Sequence, residues 1–262
     1  VSELFSNFLE SQQMKVDAGL STQRNHRKYE IVRDLFFKHS GITADSNALA
    51  LRQKHIIDFN TYLMSVYDST TVAGMMQKLK SVFLYALRNK MIQENPFMGF
   101  TISRKQKDVE FLTQEEVARI RRAYMPSVNL ERIRDLFLFQ CYTALSYCDM
   151  AALKPSDFKT NDMGYIYIDG VRLKTKVKFI AILFEDAIYI AKKYDYKLPI
   201  ISNQRYNTNL KILADICGIK KPLHTHIGRH TAACYLLNKG LGLDIVARIM
   251  GHSSTKLTKH YA

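Results

Sequence analysis

The residues best suited to chemistry lie in the last forty positions of a 262-residue chain. The run His224-Thr225-His226-Ile227-Gly228-Arg229-His230 reads as a helix start, with Thr225 as its cap and Lys239-Gly240 closing it after about Asn238. His226 and Arg229 stand three apart, neighbours on one face of the first turn. Free N–H groups and the helix dipole already favour an anion there. Arginine adds a planar fork that fits phosphate oxygens. Two cationic groups at a helix N-terminus serve stability poorly, but they suit a visiting phosphate. A later helix ends at Met250, and Gly251 suits a left-handed cap, so His252 sits in a tight corner before Ser253-Ser254 start the last helix. Tyr261 follows nine residues after His252, on or just after that helix. One short region thus offers two imidazoles, a guanidinium and a phenol.

Blander readings exist for each. A lone histidine is more often a surface or structural residue, and a tyrosine near a terminus more often packs an amphipathic face. The sharper rival is a metal site made of His224, His226 and His230, because His226 and His230 have i,i+4 spacing. The glutamate of H-E-x-x-H is absent, and Arg229 between the two histidines would repel a cation. No metal and no cofactor are expected.

These groups need a scaffold. Leu4/Phe5/Phe8/Leu9, Tyr29/Val32/Leu35/Phe36, Ile56/Phe59/Tyr62/Leu63 and Leu79/Val82/Phe83/Ala86/Leu87 mark four amphipathic helices, the second starting near Ser21 or Thr22 and the fourth covering about Thr71 to Lys90. Asn95-Pro96-Phe97 ends that series. The polar, basic stretch from Ser103 to Asp108 reads as a linker. Thr113 and Glu116 then have capping-box spacing, and an apolar helix is expected over roughly Arg132 to Ala144. Tyr165–Ile168 reads as a strand, Asp169-Gly170 as a hairpin turn, Val171–Leu173 as the return strand and Lys178–Leu183 as a third. Helices resume at about Glu185, Thr208, Thr225, Leu243 and Ser254. The expected fold is mainly α in two domains: a helical bundle at 1–103, a linker at 104–110, and a mostly helical domain with one small antiparallel sheet at 111–262.

Composition narrows the partner. With 47% hydrophobic residues and only 11 Gly, 5 Pro and 4 Cys, the chain is neither disordered nor a disulfide miniprotein. Its net charge is +14. Residues 1–107 carry 15 basic and 9 acidic side chains, and residues 108–262 carry 23 and 15. A basic globule points to a polyanion, nucleic acid before membrane. Cys141, Cys148, Cys217 and Cys234 form no C-x-x-C pair and read as buried thiols in a reducing compartment. No apolar run is long enough to span a membrane, and no signal peptide is visible.

The run THIGRHTAACYLLNKGLGLDIVARIMGHSSTKLTKHYA resembles the tyrosine recombinases, or phage-type integrases. Their pattern is H-x-x-R, then G-H, then a tyrosine about nine residues on, here His226 and Arg229, Gly251-His252, and Tyr261. The resemblance covers the whole chain: 1–103 is similar to the family's helical core-type DNA-binding (SAM-like) domain and the remainder to its catalytic domain. The family's hairpin lysine falls on Lys174, in Leu173-Lys174-Thr175. Its early arginine, in a T-G-L-R-type segment, falls on Ser146 of Thr143-Ala144-Leu145-Ser146, a departure that resembles the integrases of Bacteroidetes-type conjugative or mobile elements. Ser146 brings no charge. Arg134 and Arg172 are candidate substitutes, although twelve residues of straight helix would put Arg134 about 18 Å away.

The resemblance implies a site-specific recombinase that cuts and rejoins duplex DNA through a 3′-phosphotyrosyl intermediate, without metal or ATP. Tyr261 would be the nucleophile. Arg229 and His252 would hold the phosphate oxygens, Lys174 would protonate the departing 5′-oxygen, and His226 would assist proton transfer. Arg24, Arg27 and Lys28 are candidate DNA contacts. The implied partners are double-stranded DNA, three further copies in a synaptic homo-tetramer and a DNA-bending accessory protein, with no membrane, in a bacterial cytoplasm. A further C-terminal segment after Tyr261 and an N-terminal arm-binding domain are also expected of such proteins. A DNA-binding relative without strand transfer and a type IB topoisomerase-like relaxing enzyme are the alternatives.

Overall fold

A computed structural model describes residues 1–103 and 109–261. The chain divides into two compact units, Val1–Lys107 and Asp108–Ala262. Most of the expected linker, 104–108, lies outside the described residues.

Among its described residues the first unit holds four α-helices, α1 (Ser2–Asp17), α2 (Gln23–His39), α3 (Gln53–Val66) and α4 (Ser69–Arg88), and one 3₁₀ turn, Ala48–Ala50. Thr22 caps α2 by accepting from the Asn25 N–H, and Asp68 caps α4 by accepting from the Thr70 and Thr71 N–H groups. The apolar faces read from the sequence meet in an aromatic core of Phe5, Phe36, Phe59 and Phe83, all fully buried. Phe36 and Phe59 pack edge to face at 5.3 Å between centroids, a favoured quadrupole arrangement. Phe97 is buried against Phe83, so the Asn-Pro-Phe segment closes the bundle.

The second unit is built around α6 (Val128–Thr143), which follows α5 (Gln114–Arg122). Thr113 and Glu116 form the expected capping box of α5. Ser127 caps α6, which starts at Val128, four residues ahead of the expected Arg132. Ile133, Leu136, Phe137, Leu138, Phe139 and Cys141 are all buried, so α6 is apolar nearly all round and runs through the core. Its buried Gln140 is satisfied on both sides: Nε2 donates to the Leu145 carbonyl, and Oε1 accepts from the Tyr206 hydroxyl. A short α7 (Tyr147–Ala151) follows. It buries only Asp149 and Met150. Cys148 is therefore exposed, against the expectation of four buried thiols, while the other three are buried.

The sheet has three antiparallel strands in the order β1 (Phe158–Thr160), β2 (Ile166–Val171) and β3 (Lys178–Ile182). The expected Asp169-Gly170 turn is wrong. Both residues lie inside β2, paired with Ile180 and Phe179. The turn comes later, at 172–177, where the Arg172 N–H donates to the Val177 carbonyl and Lys176 takes φ +58°. Gly170 serves packing instead: a Cβ there would lie 2.7 Å from Cζ of the cross-strand Phe179 ring.

Helices α8 (Glu185–Lys193), α9 (Asn203–Ile216), α10 (Thr225–Asn238), α11 (Leu243–Met250) and α12 (Thr255–Thr258) complete the unit, ending in a 3₁₀ turn, Lys259–Tyr261. Ser202 caps α9, so that helix starts five residues before the expected Thr208. α10 lies close on α6 at Gly228, where a Cβ would come within 3.1 Å of Gln140 Cβ. Ala144, Ala232, Ala233, Val246 and Met250 form a small apolar floor with Tyr261 packed on it. No helix among the described residues is long and apolar enough to cross a membrane.

Candidate active site

The N-terminus of α10 is capped by His224 rather than Thr225. Its Nδ1 accepts from the His226 N–H at 3.2 Å, while buried Thr225 donates its N–H to Asn207 Oδ1. One turn in, Arg229 is buried. Its Nη1 donates to the Ala144 carbonyl at 2.6 Å and its Nη2 to the Met250 carbonyl at 2.5 Å. These carbonyls stand where α6 and α11 end, each at a left-handed cap, Ala144 (φ +58°) and Gly251 (φ +59°). Helix C-termini carry orphan carbonyls and partial negative charge, so a buried guanidinium is held there without a carboxylate of its own. Burial and neighbouring Arg172 push the Arg229 pKa down to about 10, which leaves it charged at neutral pH.

Arg172 supplies a second guanidinium. Its Nη1 donates to the same Met250 carbonyl at 2.5 Å. Its Nε lies 2.5 Å from Asp149 Oδ2, a charge contact whose N–H is not aimed as a hydrogen bond. Asp149 is buried and accepts the Leu173 N–H on Oδ1 and the Ser146 hydroxyl on Oδ2. One carboxylate thus fixes the start of the 172–177 turn and the Arg172 head group together. Gly251 clears the path, because a Cβ there would sit 2.7 Å from Arg172 Cγ. Ser146 caps α7 and spends its hydroxyl on Asp149. Arg134, the other candidate for the missing charge, is committed elsewhere. It donates to Asp135 Oδ1 and the Ala123 carbonyl on an unbroken α6. Arg172 reaches the site because its position follows the sheet, across 78 residues of sequence from Met250.

The rings gather beside these cations. His252 is held by its Nδ1 against Thr258 Oγ1 at 2.9 Å and stacks on Tyr261, 6.1 Å between centroids and 13° between planes. His230 meets Tyr261 from α10 at 5.3 Å, and His226 lies 6.3 Å from His230. Burial raises the Tyr261 pKa, while Arg229 and Arg172 pull it down. Burial, with Arg229 and Arg172 adding, lowers His252 to about 4. Burial first, then His224, Arg229, Lys174 and Arg172, lowers His226. Lys174 sits exposed in the 172–177 turn, close enough for its charge to act on His226.

His226, Arg229, His252 and Tyr261 are thus brought together, with Lys174 on the adjoining turn. No group of three or more His, Cys, Asp or Glu among the described residues is arranged to hold a metal ion, and that includes the alternative set of His224, His226 and His230. Arg24, Arg27 and Lys28 lie on the exposed first turns of α2, in the other unit. Arg27 pairs with Glu30 at 3.0 Å. Lys78 of α4 joins this basic face, 3.9 Å from the Tyr29 ring centroid. No spacing rule points to Lys78, because its partners come from a different helix.

Residues 110–262 match the model described as the phage integrase family. A tyrosine recombinase of Thermosipho africanus is 27% identical over 209 residues, covering 73% of this chain and 71% of the relative. The tyrosine recombinase XerC of Listeria welshimeri is 26% identical over 235 residues, covering 80% and 78%. Among solved structures, a lambda integrase dimer bound to a COC′ core site has a TM-score of 0.76 at 16% identity, covering 97% of this chain and 94% of that one. The Tn1549 transposon integrase in complex with a circular intermediate DNA has a TM-score of 0.73 at 14% identity, covering 99% and 94%. The chain belongs to the phage integrase family, and its enzyme class is tyrosine recombinase.

Proposed function

We propose that the cluster around Arg229 cleaves and rejoins duplex DNA at specific sites through a 3′-phosphotyrosyl link. The observation that carries this reading is the convergence of Arg229 and Arg172 on the Met250 carbonyl, beside the half-buried Tyr261 ring. The Tyr261 hydroxyl attacks the scissile phosphorus, a Tyr–O–P bond forms and the P–O5′ bond breaks. The departing 5′-oxygen takes a proton from Lys174, and neutral His226 accepts the tyrosine proton. Charge grows on the nonbridging oxygens in the transition state. Arg229 meets it with N–H groups beyond the two given to carbonyls, helped by His252 and by Arg172 in the role of the missing early arginine. The phosphotyrosyl bond conserves phosphoester energy, so a second strand's 5′-hydroxyl reverses the step without ATP. The fixed cations serve the phosphate without a metal.

Duplex DNA is the substrate, contacted in part through Arg24, Arg27 and Lys28. The relatives supporting this include the lambda integrase dimer bound to a core site and a XerH recombinase bound to its difH substrate. Exchange proceeds in a homo-tetramer with a DNA-bending partner, in a bacterial cytoplasm. Ser146 within Cys141-Tyr142-Thr143-Ala144-Leu145-Ser146-Tyr147 supports placement with integrases of Bacteroidetes-type elements.

A nicked suicide substrate with EDTA present tests the chemistry. Wild type should give a covalent protein–DNA adduct and Tyr261→Phe none, with DNA binding retained. Arg172→Ala should slow adduct formation by about 10²-fold or more, the usual cost of losing one preorganised charge at the reacting group. An undiminished adduct from Tyr261→Phe refutes the nucleophile, and wild-type rates from Arg172→Ala refute its role. Binding without any adduct from wild type marks a relative that no longer transfers strands.

A further inference from the structure

His230 has no task in the mechanism above, yet its ring is fixed on two sides. Its Nδ1 lies 3.3 Å from the Glu110 carbonyl, a contact in which the ring N–H donates. The next residue, Thr231, accepts the Leu112 N–H on Oγ1 at 2.9 Å and donates its own proton to the Ile227 carbonyl. Lys221 Nζ donates to the Phe111 carbonyl at 2.8 Å. Three successive residues, 110–112, are thus fastened by their backbone to α10 and to the loop before it. On its other contact the His230 ring meets Tyr261 at 5.3 Å, tilted by 58°. Cys234, one turn along α10, lies with Sγ 3.6 Å from the Tyr261 carbonyl oxygen. His230 and Cys234 stand four apart, so one face of α10 backs the final 3₁₀ turn at two points.

We propose that His230 is a positioning residue for the nucleophile: oriented by the Glu110 carbonyl, its ring holds the Tyr261 phenol in the attacking pose. The inference rests on Tyr261 being the nucleophile. His230 takes no proton in this role. Burial, with His226, His224 and Arg229 adding, keeps the ring neutral, so it contributes a directed N–H and an apolar face rather than charge. Tyr261 needs such a hold, since it stands on a single 3₁₀ turn with little helix of its own.

The test pairs an ordinary nicked suicide substrate with one carrying a 5′-bridging sulfur at the scissile phosphate, whose thiolate leaves without protonation. His230→Ala should bind DNA as wild type does and form adduct about 10²-fold more slowly, the order of loss set by an ångström-scale misplacement of a reacting group. The deficit should be the same on both substrates, whereas Lys174→Ala should recover on the sulfur substrate alone. His230→Asn keeps an N–H near the Nδ1 position and should regain most of the rate. His230→Phe keeps the ring volume without the donor and should stay slow. Wild-type rates from His230→Ala, recovery of that variant on the sulfur substrate, or equal rates for the Asn and Phe variants would each overturn the proposal. No adduct from wild type would instead remove the nucleophile assignment, and this inference with it.

Discussion

His224, His226, His230 and His252 all have pKa values lowered, in each case first by burial, with neighbouring rings or guanidinium groups adding to it for the last three. At neutral pH these imidazoles are therefore neutral, while Arg229 keeps its charge. A phosphodiester placed among them brings negative charge and raises every nearby imidazole pKa. DNA binding near pH 6 should accordingly take up protons. Calorimetry in buffers of different ionisation enthalpy measures this, and an observed heat independent of buffer would contradict it. His226, Arg229, His252 and Tyr261 were readable beforehand because they fall in one stretch where helix spacing converts directly into geometry. Arg172 could only be named without rank, since its place depends on a sheet, on buried Asp149 and on the gap left by Gly251. His230 was visible only as a possible metal ligand, because its partner, the Glu110 carbonyl, is a backbone atom 120 residues away.

At the scale of elements, the site is organised by two helix ends. α6 and α11 both stop at a left-handed residue and both offer a carbonyl to Arg229. Gly251→Ala adds a Cβ where Arg172 passes and places a side chain at positive φ. It should cost about 1–2 kcal/mol in denaturant unfolding and slow adduct formation much as Arg172→Ala does. Ala144→Gly relieves the same strain at the other end and should be neutral to stabilising, by up to about 1 kcal/mol. Wild-type cleavage by Gly251→Ala would separate Arg172 from Gly251. Helix starts were legible where a cap preceded an apolar period, as at Thr113 and Thr22. The α9 start was missed because Ser202 is followed by the polar run Asn203-Gln204-Arg205, which hides the period until Tyr206. The hairpin was misplaced because Asp-Gly is a turn signal, and nothing local reveals that Gly170 yields space to Phe179.

The whole molecule carries its excess charge on both units, consistent with contacts to phosphate spread along the chain. Each neutralised phosphate contributes about 0.9 to the slope of log K against log salt, so six to ten contacts imply a loss of about 10³–10⁵ in affinity between 50 and 200 mM salt. Titrating DNA binding over that range checks this, and a slope shallower than about −3 would limit the interface to a few contacts. The two-unit division was legible in the basic stretch after Ser103, which lacks any apolar period. The catalytic unit's core around α6 was legible as an unusually apolar helix.

Arg229 also closes α6, whose buried Ala144 carbonyl accepts from this guanidinium, and shares the Met250 carbonyl at the end of α11 with Arg172, and this ties its persistence to more than turnover. A lineage that had lost strand exchange and kept only its grip on DNA would still gain from a buried donor at this position, and lysine lacks the fork that reaches both acceptors at once. Retention of this arginine in a descendant is therefore poor testimony to surviving catalysis. Under the proposed mechanism Tyr261, which closes neither of those helix ends, is the residue whose replacement would record the loss.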